Sequence, residues 1–304
     1  MIAISDPCGP LGALVLQRLL DRMPASGLAA IVRDAYEAAC LHAPGVQPRL
    51  ADAQRPSTLV RALRGVECLL LVGSPAIGFP TRNTLALVDA ARTAGVARVV
   101  YTSVLHADTS ALAVAAEHRE VESALRIAGL PHALLRLGCC VEDYTAHVPA
   151  ALEYQAVLGS AGTGCISCAS RADYADAVVA VLLASPEPHG VHELVGSSSF
   201  MLPELASEIG RQSGRPIRYV HLPAALYRAA LIDAGVHPAQ AQQLVDADFA
   251  AAQGALLGYE NDLERLIGRR AMRLPEAVAL ALRGCRPQPE APAAADRPDI
   301  EVFA

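Results

Sequence analysis

Two glycines near the amino terminus, Gly9 and Gly12, have the spacing of a phosphate-binding loop. They follow the short apolar run Met1–Ser5, in the segment Asp6-Pro7-Cys8-Gly9-Pro10-Leu11-Gly12. In a dinucleotide site, backbone N–H groups of such a loop and the amino end of the next helix contact the pyrophosphate. Gly9 and Gly12 stand where the last two glycines of a G-x-x-G-x-x-G loop would stand, and Asp6 takes the first position. The spacing predicts a pyrophosphate loop, with a plain strand-to-helix turn as the alternative.

Arg33 ends the second apolar run, about twenty residues beyond the glycines. A residue at this distance contacts the adenosine ribose: an acid favours a free 2′-hydroxyl and an arginine favours a 2′-phosphate. Arg33 therefore favours NADPH, whereas its neighbour Asp34 favours NADH. The alternative for this charged pair is a solvated strand end.

Three candidates for proton transfer lie in the middle of the chain. Ser103 follows an apolar run at the position of a catalytic serine, and its alternative role is a helix or turn cap. A free imidazole changes charge near neutral pH, which makes His106 and His118 candidate proton donors. Because His118 shares its predicted helix with three glutamates, among them Glu122, a solvated helix face is the alternative for this residue.

Several other chemistries are excluded by residue type. All 25 basic residues are arginine, so Schiff-base chemistry, a P-loop lysine and a Tyr-x-x-x-Lys dyad are excluded. A serine hydrolase is excluded because no G-x-S-x-G motif is present. Cys165 and Cys168 are spaced as metal ligands, but zinc would need two more, and the adjacent Cys139 and Cys140 suit tetrahedral ligation poorly. The eight cysteines are therefore predicted to be reduced thiols, with no metal site.

The elements that must position these residues alternate along the first half of the chain. Short apolar runs without polar alternation predict parallel strands buried on both faces. The predicted strands are Met1–Ser5, Leu28–Val32, Val46–Leu50, Cys68–Val72, Arg98–Thr102 and Ala133–Leu137. The predicted helices between them are Leu11–Arg22, Arg55–Leu63, Arg82–Ala94 and Ala113–Ala128, the last two ending at Gly95 and Gly129. This alternation predicts an α/β fold, a Rossmann-type doubly wound parallel sheet.

The pattern loosens after residue 150. Further strands are predicted at Val191–Val195 and Ile217–Val220, and helices at Leu202–Gln212, Ala224–Ala234, Ala239–Ala252 and Asp262–Ile267. We therefore predict a dinucleotide-binding domain over residues 1–150 and a smaller, helix-rich substrate-binding part over residues 151–282. Residues 283–304, rich in proline and alanine, are predicted to be a disordered tail.

Composition limits the partners. The chain of 304 residues is 53% hydrophobic and carries a formal net charge of -6. An acidic chain without basic clusters is a poor match for nucleic acid or an anionic membrane. The sequence has no uninterrupted apolar stretch of about 18 residues, so no membrane span is predicted. The first residues lack the pattern of a signal peptide. We expect a cytoplasmic protein that acts on a small molecule, with a homodimer as one candidate assembly.

Over about residues 1–282 the chain resembles the NmrA-like branch of the short-chain dehydrogenase/reductase superfamily, and in particular the bacterial NAD(P)H:quinone oxidoreductase type 2 group. The stretches that carry the resemblance are Ile2–Ser5, Ala30–Arg33, Tyr101–Ser110, Glu117–His118, Pro149–Glu153 and Ser170–Ala175. The resemblance implies NADPH bound along the strand ends and reduction of small quinones in a cleft between the two parts of the chain.

The resemblance also implies roles for individual residues. Gly9, Leu11 and Gly12 match the pyrophosphate loop, with Pro10 inside it, and Arg33 matches the contact to the 2′-phosphate. The remaining matches to the cofactor site are Ser74, Tyr101, Thr102, Ser103 and Gly138. Arg171 and Asp173 match a motif with an expected structural role.

The sequence departs from the group at the cofactor loop and after the sixth strand. The group has glycine at position 6 and small flexible residues where this chain has Pro7 and Pro10, and Pro10 lacks an N–H donor. A carboxylate about 4–5 Å from a pyrophosphate oxygen, at an effective dielectric of about 20, costs several kcal/mol. Asn-Gly-Trp-Tyr in the group is replaced by Leu137-Gly138-Cys139-Cys140.

These observations support three hypotheses. The first is an NAD(P)H-dependent oxidoreductase that reduces a quinone or a related conjugated carbonyl compound. The departures at the loop favour a second, a non-redox isomerase, cyclase or dehydratase on the same scaffold. The third is an NmrA-like sensor that binds a nucleotide or a partner without turnover.

Overall fold

The computed structural model describes residues 1–73, 79–185, 189–260 and 262–285. Ser74, which the resemblance implies to be in the cofactor site, lies outside the described residues, as do residues 286–304 of the predicted tail. Within the described ranges, no helix is long and apolar enough to cross a membrane.

Strands and helices alternate through the first half of the chain, as the apolar runs predicted. The strands are β1 Ile2–Ile4, β2 Leu28–Val32, β3 Gln47–Leu50, β4 Cys68–Val72, β5 Arg98–Val104 and β6 His132–Leu137. The helices are α1 Pro10–Leu20, α2 Ala35–Ala39, α3 Pro56–Ala62, α4 Phe79–Ala94 and α5 Ala115–Ile127, with a short 3-10 turn at Ala25–Gly27. Gly95 and Gly129 follow α4 and α5 with φ of 73° and 66°, the left-handed conformation predicted for them.

The second half holds shorter strands and more helices. Its strands are β7 Cys139–Cys140, β8 Ala156–Gly159, β9 Ile166–Ala169, β10 Gly190–Leu194, β11 Ser199–Phe200 and β12 Arg218–His221. Its helices are α6 Val141–Thr145, α7 Val148–Tyr154, α8 Arg171–Leu183, α9 Leu202–Ser213, α10 Ala224–Asp233, α11 Pro238–Ala252, α12 Asp262–Ile267 and α13 Leu274–Gly284.

A seven-stranded sheet with the order β10-β6-β5-β4-β1-β2-β3 forms the centre of the molecule. All of its strand pairs are parallel. The chain leaves β1 towards β2 on one side and later returns to β4 on the other, so the strand order reverses between β1 and β4. Ligands of open parallel sheets bind at the carboxyl ends of the strands beside such a reversal. The predicted fold class is therefore confirmed, and the sheet places the candidate site at the ends of β1 and β4.

Apolar side chains cover both faces of the sheet. On one face α1 and α8 pack against Ile4, Leu70 and Leu135. On the other face α3, α4 and α5 cover Leu69, Val99 and neighbouring residues. Two elements from beyond residue 150 belong to this layer. Strand β10 pairs in parallel with β6 and extends that edge of the sheet, and helix α8 covers one face. The main sheet thus contains strands from before and after residue 150, and the division into two domains at that residue stays a prediction.

The rest of the second half has its own apolar core. It combines a three-stranded sheet, β11-β9-β7, with the pair β12-β8 and with α9 and α13 around Phe200 and Ile209. The helix α13 continues past the predicted start of the tail at Arg283 and ends at Gly284. It is ordered this far because Val278 and Leu282 pack on this core. All eight cysteines are free thiols, and no cluster that could hold a metal occurs within the described residues.

Candidate cofactor and active site

Side-chain and backbone contacts tie the carboxyl ends of the central strands together. Ser5, just after β1, accepts a hydrogen bond at Oγ from the amide of Val72 at the end of β4 (2.8 Å). Thr102 in β5 accepts at Oγ1 from the amide of Gly73 (2.8 Å). A Cβ on Gly73 would lie 2.2 Å from the Thr102 carbonyl oxygen, so only glycine fits where β4 leaves the sheet. These contacts tie together the strand ends, which we take as the floor of the crevice in which ligands of open parallel sheets bind.

The turn between β1 and α1 is the predicted pyrophosphate loop. Gly9 precedes α1 as its N-cap and Pro10 is the first helical residue. The amide of Gly9 donates to the carbonyl of Asp6 (3.2 Å), which closes the turn. Pro10 has no N–H, so the amides of Leu11 and Gly12 are the first-turn donors that a ligand can use. An added Cβ on Gly12 would lie 2.1 Å from the carbonyl oxygen of Asp6, so the helix approaches the turn as closely as the motif requires.

Asp6 is held in the left-handed conformation with φ of 50°. Glycine adopts this conformation without strain, and aspartate tolerates it better than most residues. Its carboxylate lies against Gly9: a Cβ on Gly9 would be 2.0 Å from Asp6 Oδ2. Burial raises the pKa of Asp6, the Glu37 carboxylate raises it further, and Arg33 lowers it in part. A carboxyl group thus occupies the loop where the group of relatives named above has only glycine.

Arg33 lies at the end of β2 and is anchored by Glu37 in α2. Glu37 Oε2 accepts from the Arg33 amide (2.7 Å) and from Nε (3.2 Å). The Arg33 side chain remains 80% exposed, so most of the guanidinium is open to a ligand. Asp34 is the N-cap of α2 and accepts from the amide of Glu37 (2.8 Å), so its carboxylate serves the helix. Sequence analysis did not single out Glu37, although its spacing of four residues from Arg33 was a usable signal.

Tyr101 and His118 form a buried pair between β5 and α5. The Tyr101 hydroxyl and His118 Nδ1 are 2.7 Å apart. A Cβ on Gly73 would be 2.7 Å from His118 Cε1, so the imidazole lies directly behind the floor of the crevice. Burial, followed by the Glu122 and Glu117 carboxylates, raises the pKa of Tyr101 far above its usual value, so its hydroxyl stays protonated. The solvated-face alternative for His118 is wrong, because the ring is buried.

Ser103 belongs to a buried network of charges. Its hydroxyl donates to Glu122 Oε1 (2.7 Å), and Arg136 donates to both oxygens of Glu122 from Nε (3.0 Å) and from a terminal nitrogen (2.8 Å). Another terminal nitrogen of Arg136 is paired with Glu193 in β10 (2.9 Å). Burial alone would raise the pKa of Glu122, but the hydrogen bonds from Arg136 and Ser103 lower it overall. The network joins β5, α5, β6 and β10, and sequence analysis missed Arg136 because one arginine inside an apolar strand carries no spacing signal.

His106 stands apart from the other two candidates for proton transfer. It lies in the loop after β5 with φ of 50°, and its amide donates to Glu193 Oε2 (3.0 Å). Its Nε2 is 3.3 Å from Glu260 Oε1. The ring is 29% exposed, in contrast to the buried ring of His118. The structure therefore places His106 beside acidic partners from β10 and from the segment before α12.

Gly138 lies at the end of β6, where the chain turns into the second half. Its amide donates to the carbonyl of Leu194 (2.9 Å), and an added Cβ would be 3.1 Å from the Tyr174 hydroxyl. The predicted cofactor contacts of Gly138, Tyr101, Thr102 and Ser103 stay predictions. The side chains of the last three are buried in the contacts described above, so a ligand would meet mainly their backbone.

Arg171 and Asp173, for which a structural role is expected, lie in the first turn of α8. Asp173 and Ser170 form a capping box, and Asp173 also pairs with Arg269. Arg171 pairs with Asp143 in α6. These contacts attach the second half to the helix that covers the main sheet.

The reversal of strand order, the glycine turn and the exposed arginine at the end of β2 together define a Rossmann-type dinucleotide-binding protein. The family model for the NmrA-like family matches residues 1–276. The chain therefore belongs to the NmrA-like family.

Individual relatives agree with this assignment. The chain is 41% identical to quinone oxidoreductase 2 of Escherichia coli over 92% of its own length and 98% of the relative. The crystal structure of an NADPH-dependent quinone oxidoreductase from E. coli, complexed with NADPH, matches with a TM-score of 0.88 at 40% identity, over 93% of this chain and 100% of that one. Triphenylmethane reductase of Citrobacter sp., complexed with NADP(H), matches with a TM-score of 0.88 at 29% identity, over 92% of this chain and 100% of that one.

Proposed function

We propose that this chain is an NADPH-dependent reductase that transfers hydride to a quinone or a related conjugated carbonyl compound. The observation that carries the proposal is the match over nearly the full length to an E. coli quinone oxidoreductase whose structure contains NADPH. The second relative, a triphenylmethane reductase bound to NADP(H), supports the same cofactor and an extended conjugated acceptor. The predicted reaction class and cofactor therefore agree with the relatives.

The residues of the crevice fit such a cofactor, with Asp6 as the exception. The amides of Leu11 and Gly12 would meet the pyrophosphate at the amino end of α1. Arg33, fixed at Nε by Glu37 and otherwise exposed, would meet the 2′-phosphate. Gly73 gives the backbone close access at the end of β4.

The bound cofactor supplies a hydride, and the chain must supply orientation and a route for the proton that a quinone takes up. Tyr101 stays protonated and bonds to His118 Nδ1, so this pair serves to fix the floor of the crevice. His106 is the better candidate for moving a proton, because its ring is partly exposed and pairs with Glu260. Ser103 donates to Glu122 and is not free to act on a substrate, which favours a positioning role.

The proposal is tested by NADPH oxidation with a panel of acceptors under anaerobic conditions. We expect turnover with benzoquinones and naphthoquinones, weaker turnover with azo and triphenylmethane dyes, and none with simple aliphatic aldehydes. Binding of NADPH without oxidation by any acceptor would contradict a reductase and favour the sensor. Conversion of a substrate in the absence of any nicotinamide would favour the non-redox enzyme.

Replacement of Arg33 by alanine tests how the cofactor is selected. A charged hydrogen bond to a phosphate contributes about 1.5–3 kcal/mol, so we expect KM for NADPH to rise roughly 10- to 100-fold. KM for NADH should change less than about threefold, since NADH has no 2′-phosphate. Arg55→Ala, which removes another exposed arginine that pairs with a nearby carboxylate, is the matched control and should leave both values unchanged. Equal effects on the two cofactors would remove Arg33 from the 2′-phosphate site.

A homodimer and a cytoplasmic location stay predictions. Light scattering on the purified protein measures the first, and fractionation of the source cells measures the second.

A further inference from the structure

Asp6 is the carboxylate that lies directly on the predicted pyrophosphate loop. Its carboxylate covers Gly9, with Oδ2 2.0 Å from the position that a Cβ on Gly9 would take. Among the residues that the structure describes, none donates a hydrogen bond to this carboxylate. A carboxylate in this place is close to the position of a ligand that itself carries negative charge.

The groups around Asp6 oppose a second negative charge more than they support it. Glu37 faces it from α2 and Arg33 from the end of β2, and Cys8 is in its own loop. Asp34 caps α2 beside Arg33, and Glu37 holds Nε of that arginine. Within the described residues Arg33 supplies the nearby guanidinium, and its Nε is already paired with Glu37, so it compensates a pyrophosphate and Asp6 together only in part. The amino end of α1 adds a partial positive charge, for which Asp6 and the pyrophosphate compete.

A change of rotamer keeps the carboxyl group of Asp6 near the loop, although the residue is exposed. The backbone of Asp6 is fixed, because its carbonyl accepts from the amide of Gly9 and lies against Gly12. Its carboxyl group is one methylene from this backbone, so rotation about χ1 turns it to another side of the same turn. A proton on the carboxyl group removes the repulsion that remains.

We infer that Asp6 takes up a proton when the dinucleotide binds, so that cofactor binding by this chain is coupled to pH. The inference rests on the proposed function, because it presupposes a dinucleotide at this loop. A ligand with negative charge favours the protonated carboxyl, so affinity is highest at low pH. It falls by up to tenfold per pH unit between the pKa of Asp6 in the free protein and its pKa in the complex, and is constant above the second value.

The direct readout is the number of protons taken up per ligand bound, from isothermal titration calorimetry in buffers of different ionisation enthalpy. NADP+ and NAD+ are titrated into the native protein and into Asp6→Asn between about pH 5 and 8, where folded proteins are most stable. Asparagine also tolerates the left-handed backbone, so this variant keeps the turn. NAD+ is included because the 2′-phosphate of NADP+ itself titrates near pH 6.

We expect the native protein to take up close to one proton more than Asp6→Asn with either ligand, in the pH range where its affinity falls. At the high end of the range Asp6→Asn should bind about tenfold or more tightly than the native protein, and the two should converge at the low end. Asp21→Asn makes the same change of charge at the other end of α1, about 16 Å away, and should behave as the native protein.

Three outcomes would overturn the inference. The first is an equal proton count and an equal pH slope for the native protein and Asp6→Asn. The second is binding by Asp6→Asn with none by the native protein at any pH, because the carboxyl group would then block the loop in both of its states. The third is an equal effect of Asp21→Asn. Absence of binding by the native protein, Asp6→Asn and Asp6→Gly alike would instead contradict the proposed function.

Discussion

Arg136→Met is expected to lower the free energy of unfolding by about 3–5 kcal/mol, the usual cost of leaving buried charges without their partner. The side chain of Arg136 is 7% exposed and that of Glu122 is 1% exposed. Removing the guanidinium leaves the Glu122 carboxylate buried with the Ser103 hydroxyl as its donor and Arg126 at 4.0 Å, and takes one partner each from Glu193 and Asp108. Urea denaturation followed by circular dichroism measures the effect.

Two further variants separate the buried charge from lost packing. Glu122→Gln in the Arg136→Met background removes the uncompensated charge and should recover a substantial part of the loss. Arg55→Met breaks an exposed ion pair with Asp52 and should cost less than about 1 kcal/mol. If Arg136→Met proves as mild as Arg55→Met, the network does not hold β5, β6 and β10 together. Because these contacts keep the pKa of Glu122 low, their contribution is present at neutral pH and is lost as the pH falls through that lowered pKa.

Gly12→Ala is expected to weaken NADPH binding by roughly 100-fold or more, equivalent to about 2.7 kcal/mol. The new Cβ would lie 2.1 Å from the carbonyl oxygen of Asp6, and neither atom can move unless the backbone shifts. The amino end of α1 must therefore shift, and its donor amides move with it. Alanine has the higher helix propensity, by about 1 kcal/mol, so a stability gain from propensity opposes the steric cost. NADPH fluorescence on binding is the measurement.

The control for this variant is another helical glycine with open space around it. An added Cβ on Gly284, at the end of α13, would meet no atom within 4 Å. Gly284→Ala should leave NADPH binding unchanged. Native-like affinity in Gly12→Ala would show that α1 does not hold the pyrophosphate in the way described.

The fold could be predicted from sequence because the central strands are short apolar runs, buried on both faces. β2, β4 and α12 begin and end where they were predicted, and the other strands of the first half differ by one or two residues at an end. Helix α8 was missed: most of its residues are apolar and eight of its thirteen are buried, so it lacks the polar face that reveals a helix in sequence. The short strands β7, β8, β9 and β11 were also missed, because pairing between distant segments defines them.

The candidate site could be predicted in outline, but its contacts could not. The spacing of Gly9 and Gly12 and the place of Arg33 rest on local sequence, and the structure gives all three a geometry that suits those roles. The partners of Ser103, His106 and His118 come from residues as distant as Glu193 and Glu260. Sequence spacing carries no information on such contacts. Family membership is confirmed, whereas the roles of individual site residues stay predictions.

The central claim is that NADPH bound at the altered loop passes hydride directly to a quinone. The most direct test is a single turnover under anaerobic conditions, with protein in excess over NADPH that carries deuterium on one or the other face of C4. We predict that a naphthoquinone oxidises the bound NADPH in one phase and that deuterium slows this phase for one face only. Tight binding of NADPH with no oxidation by any quinone would contradict the account. Oxidation that shows no isotope effect for either face, even with a quinone that reacts slowly enough for hydride transfer to limit the rate, would also contradict it.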